Sequence, residues 1–227
     1  MTQFEPWRGN RIKAVVGHYG SGKTETAMAL AMLAADAGLR VTVADLDIVN
    51  PFFRSAEQEA ALRERGVGLI APPYALTGVD LPVLPAEVQS LFDDPAMHAV
   101  LDAGGEEAGA AALGRYKPWL DQSGCDLYYV VNIYRPFSED AGQIIAQMER
   151  IARRARLAPT GLINNANLGE WTEPEHLIEG YRVLKQVAER TGVPVIAAAG
   201  EARVLEALET DVPALPLKLL LKPEWMD

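Results

Sequence analysis

The sequence predicts an α/β fold in three layers, with helices on both faces of a mostly parallel β-sheet. Short apolar runs rich in valine and isoleucine alternate with stretches in which apolar residues recur every three or four positions. The first pattern is typical of buried parallel strands and the second of amphipathic helices. A chain of 227 residues can build one sizeable core but not two ordinary domains with a linker. We therefore expect residues 1–227 to form a single domain.

These two periodicities assign the elements in chain order. The first strand is Ile12–Val16, and the first helix ends near Gly38 with an apolar stripe of Ala27, Leu30, Ala31 and Ala34. Further strands are predicted at 40–45, 67–70, 99–102, 127–132, 161–164, 193–198 and 216–221. Further helices are predicted at 56–65, 85–92, 138–156, 174–191 and 201–208. Four prolines in residues 71–85 indicate an irregular excursion, and residues 103–120 form a segment of small side chains.

The composition restricts the class of protein. Hydrophobic residues make up 49% of the chain and charged residues 23%, which is typical of globular proteins. A net charge of −10 argues against nucleic acid as the main partner, because nucleic-acid binders need a positive surface. No apolar run approaches the roughly 20 residues of a membrane span, and the polar first ten residues do not resemble a signal peptide. We expect a cytoplasmic protein whose partner is neither nucleic acid nor membrane.

Residues 17–24 read Gly-His-Tyr-Gly-Ser-Gly-Lys-Thr and match the pattern G-x-x-x-x-G-K-[ST] of a nucleotide-binding P-loop. In such a loop, glycines let backbone N–H groups point at phosphate oxygens, and the following helix N-terminus adds partial positive charge. Lys23 would reach the β- and γ-phosphates, and the Thr24 hydroxyl would ligate Mg²⁺. A chance glycine-rich turn is the less favoured interpretation, because a strand precedes the loop and a helix follows it. The candidate nucleotide-binding residues here are Gly17, His18, Tyr19, Gly20, Ser21, Gly22, Lys23, Thr24 and Glu25.

Acidic residues follow two of the predicted strands at the edge where ligands of open parallel sheets bind. Asp102 could hold Mg²⁺ together with Thr24. Asp45 and Asp47 lie beyond the second strand, where one could orient or deprotonate an attacking water and the other support the metal shell. The alternatives are an ordinary turn after Asp102 and an Asx turn at the two other aspartates. The candidate catalytic residues are thus Lys23, Asp47 and Asp45, and the candidate metal ligands are Thr24, Asp47 and Asp102.

The ordered set of a P-loop, an Asp-x-Asp and an Asp-x-x-Gly resembles the MinD/ParA group of SIMIBI-class P-loop ATPases, whose relatives include the CobQ/CobB-type enzymes. The resemblance covers about residues 11–200. It implies binding of ATP with Mg²⁺, ATP hydrolysis, and a nucleotide-dependent homodimer as one candidate assembly. By position, Asp47 resembles the family's catalytic aspartate, and Asp102 and Gly105 resemble its metal-linked and γ-phosphate-sensing pair.

The resemblance also assigns the base side of the site. Gly161–Asn165 is similar to the strand whose terminal asparagine reads adenine, with Asn165 the first choice and Asn164 the second. Arg135 is a candidate phosphate or base contact. The chain lacks an Asn-Lys-x-Asp element for guanine, so ATP is favoured over GTP.

One departure from the family concerns its signature lysine just after the first P-loop glycine. That position is His18 here, and histidine is shorter and mostly neutral at pH 7. Arg54 is a candidate substitute. Separately, Arg150, Arg153, Arg154 and Arg156 cluster on one predicted helix, where a solvated basic face is favoured over a docking patch.

Three hypotheses about function follow. The leading one is a Mg²⁺-dependent ATPase whose hydrolysis drives a conformational or dimerisation switch acting on an unidentified protein partner. The second is a small metabolic synthetase of the CobB or dethiobiotin-synthetase kind, in which residues 71–85 and 106–116 would line a pocket for a small-molecule substrate. The third is a binding module that senses nucleotide without hydrolysing it, against which Asp45 and Asp47 argue.

Overall fold

The computed structural model of the protein describes residues 2–47, 56–71, 87–105 and 107–217. It contains one eight-stranded sheet in the order β3-β2-β4-β1-β5-β6-β7-β8, in which every neighbouring pair is parallel. The expected α/β fold with a mostly parallel sheet is therefore confirmed. The strands are β1 (Ile12–Gly17), β2 (Val41–Asp45), β3 (Gly68–Ile70), β4 (His98–Asp102), β5 (Cys125–Val131), β6 (Gly161–Asn164), β7 (Val195–Gly200) and β8 (Ala214–Pro216).

Helices connect these strands and cover both faces. They are α1 (Lys23–Asp36), α2 (Ala56–Glu64), α3 (Glu87–Asp93), α4 (Glu107–Arg115), α5 (Lys117–Ser123), α6 (Ala141–Ala155), α7 (Pro174–Thr191) and α8 (Ala202–Glu206). The connections through α1 and α2 run towards the β3 edge of the sheet, whereas those through α3–α8 run towards the β8 edge. Because such crossovers are right-handed, the two groups of helices lie on opposite faces. Two buried clusters agree with this, since Ile12 and Ala14 of β1 pack with α3–α8 whereas Val15 packs with α1 and α2.

The first helix differs from its predicted single apolar stripe. Besides the expected positions, Met28, Ala29 and Met32 of α1 are buried. The reason is a second layer of chain over the helix, because Gln3 and Pro216 line one groove with these residues. A central helix covered on two sides needs apolar residues nearly all round.

Other parts of the chain also differ from the sequence prediction. The helix expected from residue 138 begins at Ala141, because the Asp140 carboxylate accepts hydrogen bonds from the N–H groups of Gly142 and Gln143 and caps it. The small-residue segment folds into α4 and α5, whose alanines and glycines carry little periodic signal. Most of the strand predicted at 216–221 lies outside the described residues; within them a strand is present at Ala214–Pro216, and its Ala214 pairs with Gln3 of the N-terminal segment. None of the helices in the described ranges is both long and apolar enough to cross a membrane.

A buried ion pair fixes the N-terminal segment to the sheet. The Nζ of Lys13 lies 2.5 Å from Oδ2 of Asp126, and the two side chains are only 3% and 16% exposed. Asp126 also accepts hydrogen bonds from the backbone N–H and the side-chain amide of Asn10, at 3.0 and 2.8 Å. The Lys13 amine donates to the Arg8 carbonyl as well, so both charges are hydrogen-bonded on several sides. Such a network tolerates loss of one partner poorly.

We expect Asp126→Asn to lower the free energy of unfolding by about 3 kcal/mol, because it leaves the Lys13 ammonium buried without its counter-charge. Urea unfolding of the two proteins measures this difference. The control is Asp121→Asn in the exposed Lys117–Asp121 pair, which should cost about 1 kcal/mol or less. Equal losses in the two variants would show that the buried pair has no special role.

Candidate functional site

The loop between β1 and α1 lies at the carboxyl end of the central strand. Gly22, directly before α1, has a left-handed backbone with φ of +85°. A Cβ atom at this position would lie 2.1 Å from Nδ2 of Asn165, which donates a hydrogen bond of 2.7 Å to the Ser21 carbonyl. Glycine is therefore required here both by the backbone conformation and by the asparagine packed against it.

The Lys23 side chain folds back over this loop. Its Nζ donates to the His18 carbonyl at 3.1 Å, and the residue is only 8% exposed. A Cβ atom at Gly105 would lie 2.6 Å from this Nζ and 3.0 Å from the backbone nitrogen of Tyr19. The structure thus brings together the lysine, a loop N–H and the glycine that follows β4, as the sequence pattern predicts.

Thr24, the residue after Lys23, contacts Asp102 at the end of β4. The threonine hydroxyl donates to Oδ2 of Asp102 at 2.7 Å, whereas Oδ1 of the same carboxyl group is buried without a hydrogen-bond partner. Burial raises the pKa of Asp102 to about 8, the hydrogen bond from Thr24 opposes the rise, and the negative charge of Asp45 adds to it. A cation at this position would offset the cost of the buried carboxylate.

Asp45, the last residue of β2, and Asp47, two positions later, have different surroundings. Oδ1 of the buried Asp45 accepts a hydrogen bond of 2.8 Å from the Asp47 N–H, which is the Asx turn considered as an alternative. The Leu46 N–H donates to the Asp102 carbonyl at 2.8 Å and joins this turn to β4. As a result the Asp47 carboxyl carbon would lie 2.9 Å from a Cβ at Gly104, which places this side chain beside the loop after β4.

The asparagines after β6 point in different directions. The Asn164 amide donates to the Leu177 carbonyl in α7 and its Oδ1 accepts from the Ala166 N–H, so both of its polar groups bond within the chain. Asn165 faces the P-loop, and its Oδ1 is buried without a hydrogen-bond partner. Only Asn165 therefore combines contact with the loop and an unused acceptor.

Sequence reasoning placed Asn132 among the polar residues at the ligand edge of the sheet, but it did not single out Asn167, to which Asn132 is hydrogen-bonded. The Asn132 side chain, just after β5, donates to the Asn167 carbonyl at 3.0 Å and accepts from the Asn167 N–H at 3.2 Å. The amide of Asn167 in turn donates to the Asn165 carbonyl at 2.8 Å. The run Asn-Asn-Ala-Asn at 164–167 is the signal that could have drawn attention to Asn167.

The loop after β5 covers the outer side of the P-loop. Nε of Arg135 donates to the Gly20 carbonyl at 3.0 Å, and the Phe137 ring meets the His18 ring edge-on with centroids 6.0 Å apart. Glu25 lies in the first turn of α1 and lines the groove with Gln3 and Pro216. The candidate substitute for the signature lysine, Arg54, lies outside the described residues.

The described part of the chain leaves three buried side-chain atoms without a hydrogen-bond partner, and all three surround the P-loop. They are Oγ of Ser21, Oδ1 of Asp102 and Oδ1 of Asn165. Buried polar groups in folded proteins are nearly always paired, so this concentration indicates a site whose polar partners come from a ligand. The hydroxyl and carboxylate oxygens suit Mg²⁺, and the lysine ammonium beside them suits phosphate oxygens.

We expect Gly22→Ala to lower the free energy of unfolding by about 3 kcal/mol, because its Cβ collides with the Asn165 amide in addition to straining the backbone. The control is Gly38→Ala, which has a similar φ of +82° but nothing within 4 Å, and should cost about 1–2 kcal/mol. Urea unfolding measures both losses. In an Asn165→Ala background the extra cost of Gly22→Ala should shrink. An undiminished cost in that background would contradict the packing described above.

Solved structures similar to this chain share its fold. Chloroplast FtsY from Physcomitrella patens superimposes with a TM-score of 0.56 at 17% identity, covering 82% of this chain and 57% of that one. The signal recognition particle receptor FtsY from Elizabethkingia anophelis gives 0.55 at 17% identity, covering 89% and 63%. A nucleotide-binding protein from Archaeoglobus fulgidus in complex with ADP gives 0.53 at 13% identity, covering 86% and 84%. The chain thus spans less than two thirds of these FtsY proteins.

Comparison at the level of sequence gives the family. No curated protein matches the chain. The profile of the CobQ/CobB/MinD/ParA nucleotide binding domain matches residues 14–205, which include the P-loop, the loop after β4 and the asparagines after β6. This agrees with the resemblance to SIMIBI-class P-loop proteins found in the sequence motifs. The chain belongs to the CobQ/CobB/MinD/ParA family of nucleotide-binding domains.

Proposed function

We propose that this protein is a Mg²⁺-dependent ATPase whose hydrolysis is coupled to a conformational or dimerisation switch that acts on a partner protein. The observation that carries the proposal is the set of three unpartnered buried polar atoms around the P-loop, together with the Thr24–Asp102 contact of 2.7 Å. Buried polar atoms are nearly always hydrogen-bonded in folded proteins, so these three atoms favour a polar ligand, and the family binds nucleotides.

The phosphate groups would be bound by the P-loop. Backbone N–H groups between Gly17 and Thr24 supply donors, and the N-terminus of α1 adds partial positive charge. Lys23, now bonded to the His18 carbonyl, would exchange that contact for a phosphate oxygen. Gly105 lies against both the lysine and the loop, where its backbone N–H would approach the terminal phosphate.

The metal would be held by Thr24 and Asp102, with Asp47 beside them. When bound, Mg²⁺ would neutralise charge on the phosphates. Asp47 would orient the attacking water and accept its proton, since its carboxyl group lies beside Gly104, next to the glycine proposed to contact the terminal phosphate. Asp45 would act as a positioning residue, because its carboxylate holds the Asp47 backbone.

The nucleotide is proposed to be ATP. Similar structures do not decide this, because the Archaeoglobus fulgidus protein is in complex with ADP and one FtsY from Elizabethkingia anophelis is in complex with GDP. Support comes from the sequence, which lacks the Asn-Lys-x-Asp element for guanine. Asn165 is the proposed base-side contact, since its Oδ1 has no partner, whereas the polar groups of Asn164 bond within the chain. Arg135 is proposed to contact phosphate or base from the outer side of the loop.

The switch would start at the loop after β4. A Cβ atom at Gly109 would lie 2.3 Å from the Cα of Gly104, so α4 is in direct backbone contact with this loop. Any shift of Gly104 and Gly105 towards a terminal phosphate would therefore move α4. The readout would be nucleotide-dependent binding of a protein partner, with a homodimer as one candidate assembly.

The synthetase hypothesis receives less support. Of the segments it assigns to a substrate pocket, residues 72–85 and 106 lie outside the described residues. Residues 107–115 form α4, and the Gly104 backbone packs directly against Gly109, which leaves no space for a substrate at that point. We keep this hypothesis as the alternative that the following experiment distinguishes.

We expect slow phosphate release from Mg²⁺–ATP by the wild-type protein, and a loss of about 100-fold or more in Lys23→Ala and in Asp47→Ala. The first variant removes the phosphate-binding ammonium and the second removes the water-orienting carboxylate. Steady-state phosphate release measures all rates, and the matched controls are Lys185→Ala and Asp211→Ala, which are exposed and outside the site.

Size-exclusion elution with and without ATP accompanies this assay. Turnover together with ATP-dependent association supports the switch. Tight binding without turnover or a change in mass would favour a synthetase that awaits its substrate. Activity in Asp47→Ala equal to that of the wild type would rule out the role given to Asp47.

We also expect Asp102→Asn to remove most of the gain in nucleotide affinity that Mg²⁺ provides, a loss of about tenfold or more, because an amide is a poor ligand for this cation. Affinity measured in EDTA should change little. Titration with a fluorescent ATP analogue measures both, and the control is the exposed Asp121→Asn. An unchanged Mg²⁺ dependence in Asp102→Asn would place the metal elsewhere.

A further inference from the structure

Five exposed arginines gather where the C-terminal ends of α4 and α6 meet. We call this surface the arginine patch; its members are Arg115, Arg150, Arg153, Arg154 and Arg156. The sequence indicated four of them on one helix and favoured a solvated face. The structure adds Arg115 from a different helix, which turns a row along one helix into a two-dimensional surface.

Close contact between the two helices holds the patch together. A Cβ atom at Gly114 would lie 2.8 Å from the Arg154 carbonyl oxygen, so the backbones touch at this point. The Arg156 guanidinium donates to the Gly114 carbonyl and thereby caps the end of α4. Arg115 consequently lies next to the last turn of α6.

The patch lies far from the P-loop. The helix α6 ends at Ala155, shortly before β6 begins at Gly161, so its C-terminus is at the edge where the strands start. The P-loop is at the opposite edge, where β1 ends at Gly17. The patch is therefore a surface separate from the nucleotide site.

The charge of the patch opposes that of the molecule. The whole chain carries a net charge of −10, yet Arg150, Arg153 and Arg154 lie three and four positions apart on one helix, a spacing at which like charges repel. Within the described residues, Glu149 forms an ion pair with Arg153, at 3.7 Å and with both side chains more than half exposed. Such a concentration of exposed arginine on a chain of net negative charge is typical of a surface that binds an anion.

We propose that the arginine patch docks a short acidic segment of a partner protein. The planar arginine guanidinium binds carboxylates through paired hydrogen bonds, and several at once can follow a run of aspartates or glutamates. At physiological salt, charges interact only over roughly 8–10 Å. A short acidic segment bound to the patch would therefore interact with the arginines and little with the rest of the surface. A long polyanion such as DNA, or an anionic membrane, would also face the negative surroundings.

The patch is connected to the nucleotide site by α4. This helix touches Gly104 at its start, through Gly109, and ends at Gly114 and Arg115 in the patch. If the proposed function holds, on which this part rests, movement of the loop after β4 shifts Arg115 relative to α6. Affinity for the acidic segment would then depend on the bound nucleotide.

The test is fluorescence anisotropy of a fluorescein-labelled hexaglutamate peptide titrated with the full chain at low ionic strength. We expect binding that weakens as salt is added, and a loss of about tenfold in the combined variant Arg150→Ala, Arg153→Ala, Arg154→Ala. The control variant, Arg40→Ala, Arg63→Ala, Arg203→Ala, removes the same charge from exposed positions outside α4, α6 and α7 and should retain wild-type affinity. Circular dichroism checks that both variants are folded.

Three results would overturn the proposal: no peptide binding at low salt, equal losses in the two combined variants, or tighter patch-dependent binding of a duplex oligonucleotide or of phosphatidylserine vesicles than of the peptide. Repeating the titration with Mg²⁺–ATP tests the connection through α4, which an unchanged affinity would contradict. Because the peptide is first titrated without nucleotide, failure of nucleotide binding and failure of docking are observed separately.

Discussion

The site is organised by the buried carboxyl group of Asp102, which has one oxygen bonded to Thr24 and the other without a partner. Burying such a group in a low-dielectric interior is unfavourable unless a cation or a proton accompanies it. The surrounding structure keeps this arrangement in place, because β4 pairs with β1 and β2 on either side and the P-loop leaves β1 directly beside it. The Leu46 N–H adds a hydrogen bond to the Asp102 carbonyl, so the aspartates after β2 and β4 keep a fixed relation.

The glycines and asparagines have a complementary role on the other side of the P-loop. Gly22 leaves the space that the Asn165 amide occupies, and Asn132 holds the loop that carries Asn165 and Asn167. The proposed phosphate side and the proposed base side of the site are thus joined by side-chain to backbone hydrogen bonds across β1, β5 and β6. A ligand that contacts both sides would find them already in position, which lowers the entropy cost of binding.

Local signals were sufficient to predict the fold class, the P-loop and most elements, because glycine and β-branched residues restrict the backbone independently of tertiary contacts. The helices α4 and α5 were not predicted, since a segment rich in alanine and glycine has no strong period and is held by packing on its neighbours. The resemblance ranked Asn165 above Asn164, but the contacts that distinguish the two asparagines are tertiary. The inward direction of Asn164 depends on the Leu177 carbonyl in α7, and the clamp on Asn167 depends on Asn132, thirty-five positions away. Likewise, Arg115 joins the arginine patch only through the contact between α4 and α6.

The most direct test of this account is the thermal unfolding midpoint of the wild-type chain with Mg²⁺ and ATP, with ATP in EDTA, and with Mg²⁺ alone. If a nucleotide and a cation satisfy the unpartnered groups of Ser21, Asp102 and Asn165, saturating Mg²⁺–ATP should raise the midpoint by about 5–10 °C. ATP in EDTA should give a smaller rise and Mg²⁺ alone little change. A midpoint that does not respond to Mg²⁺–ATP would contradict the assignment of this edge of the sheet as a Mg²⁺–ATP site.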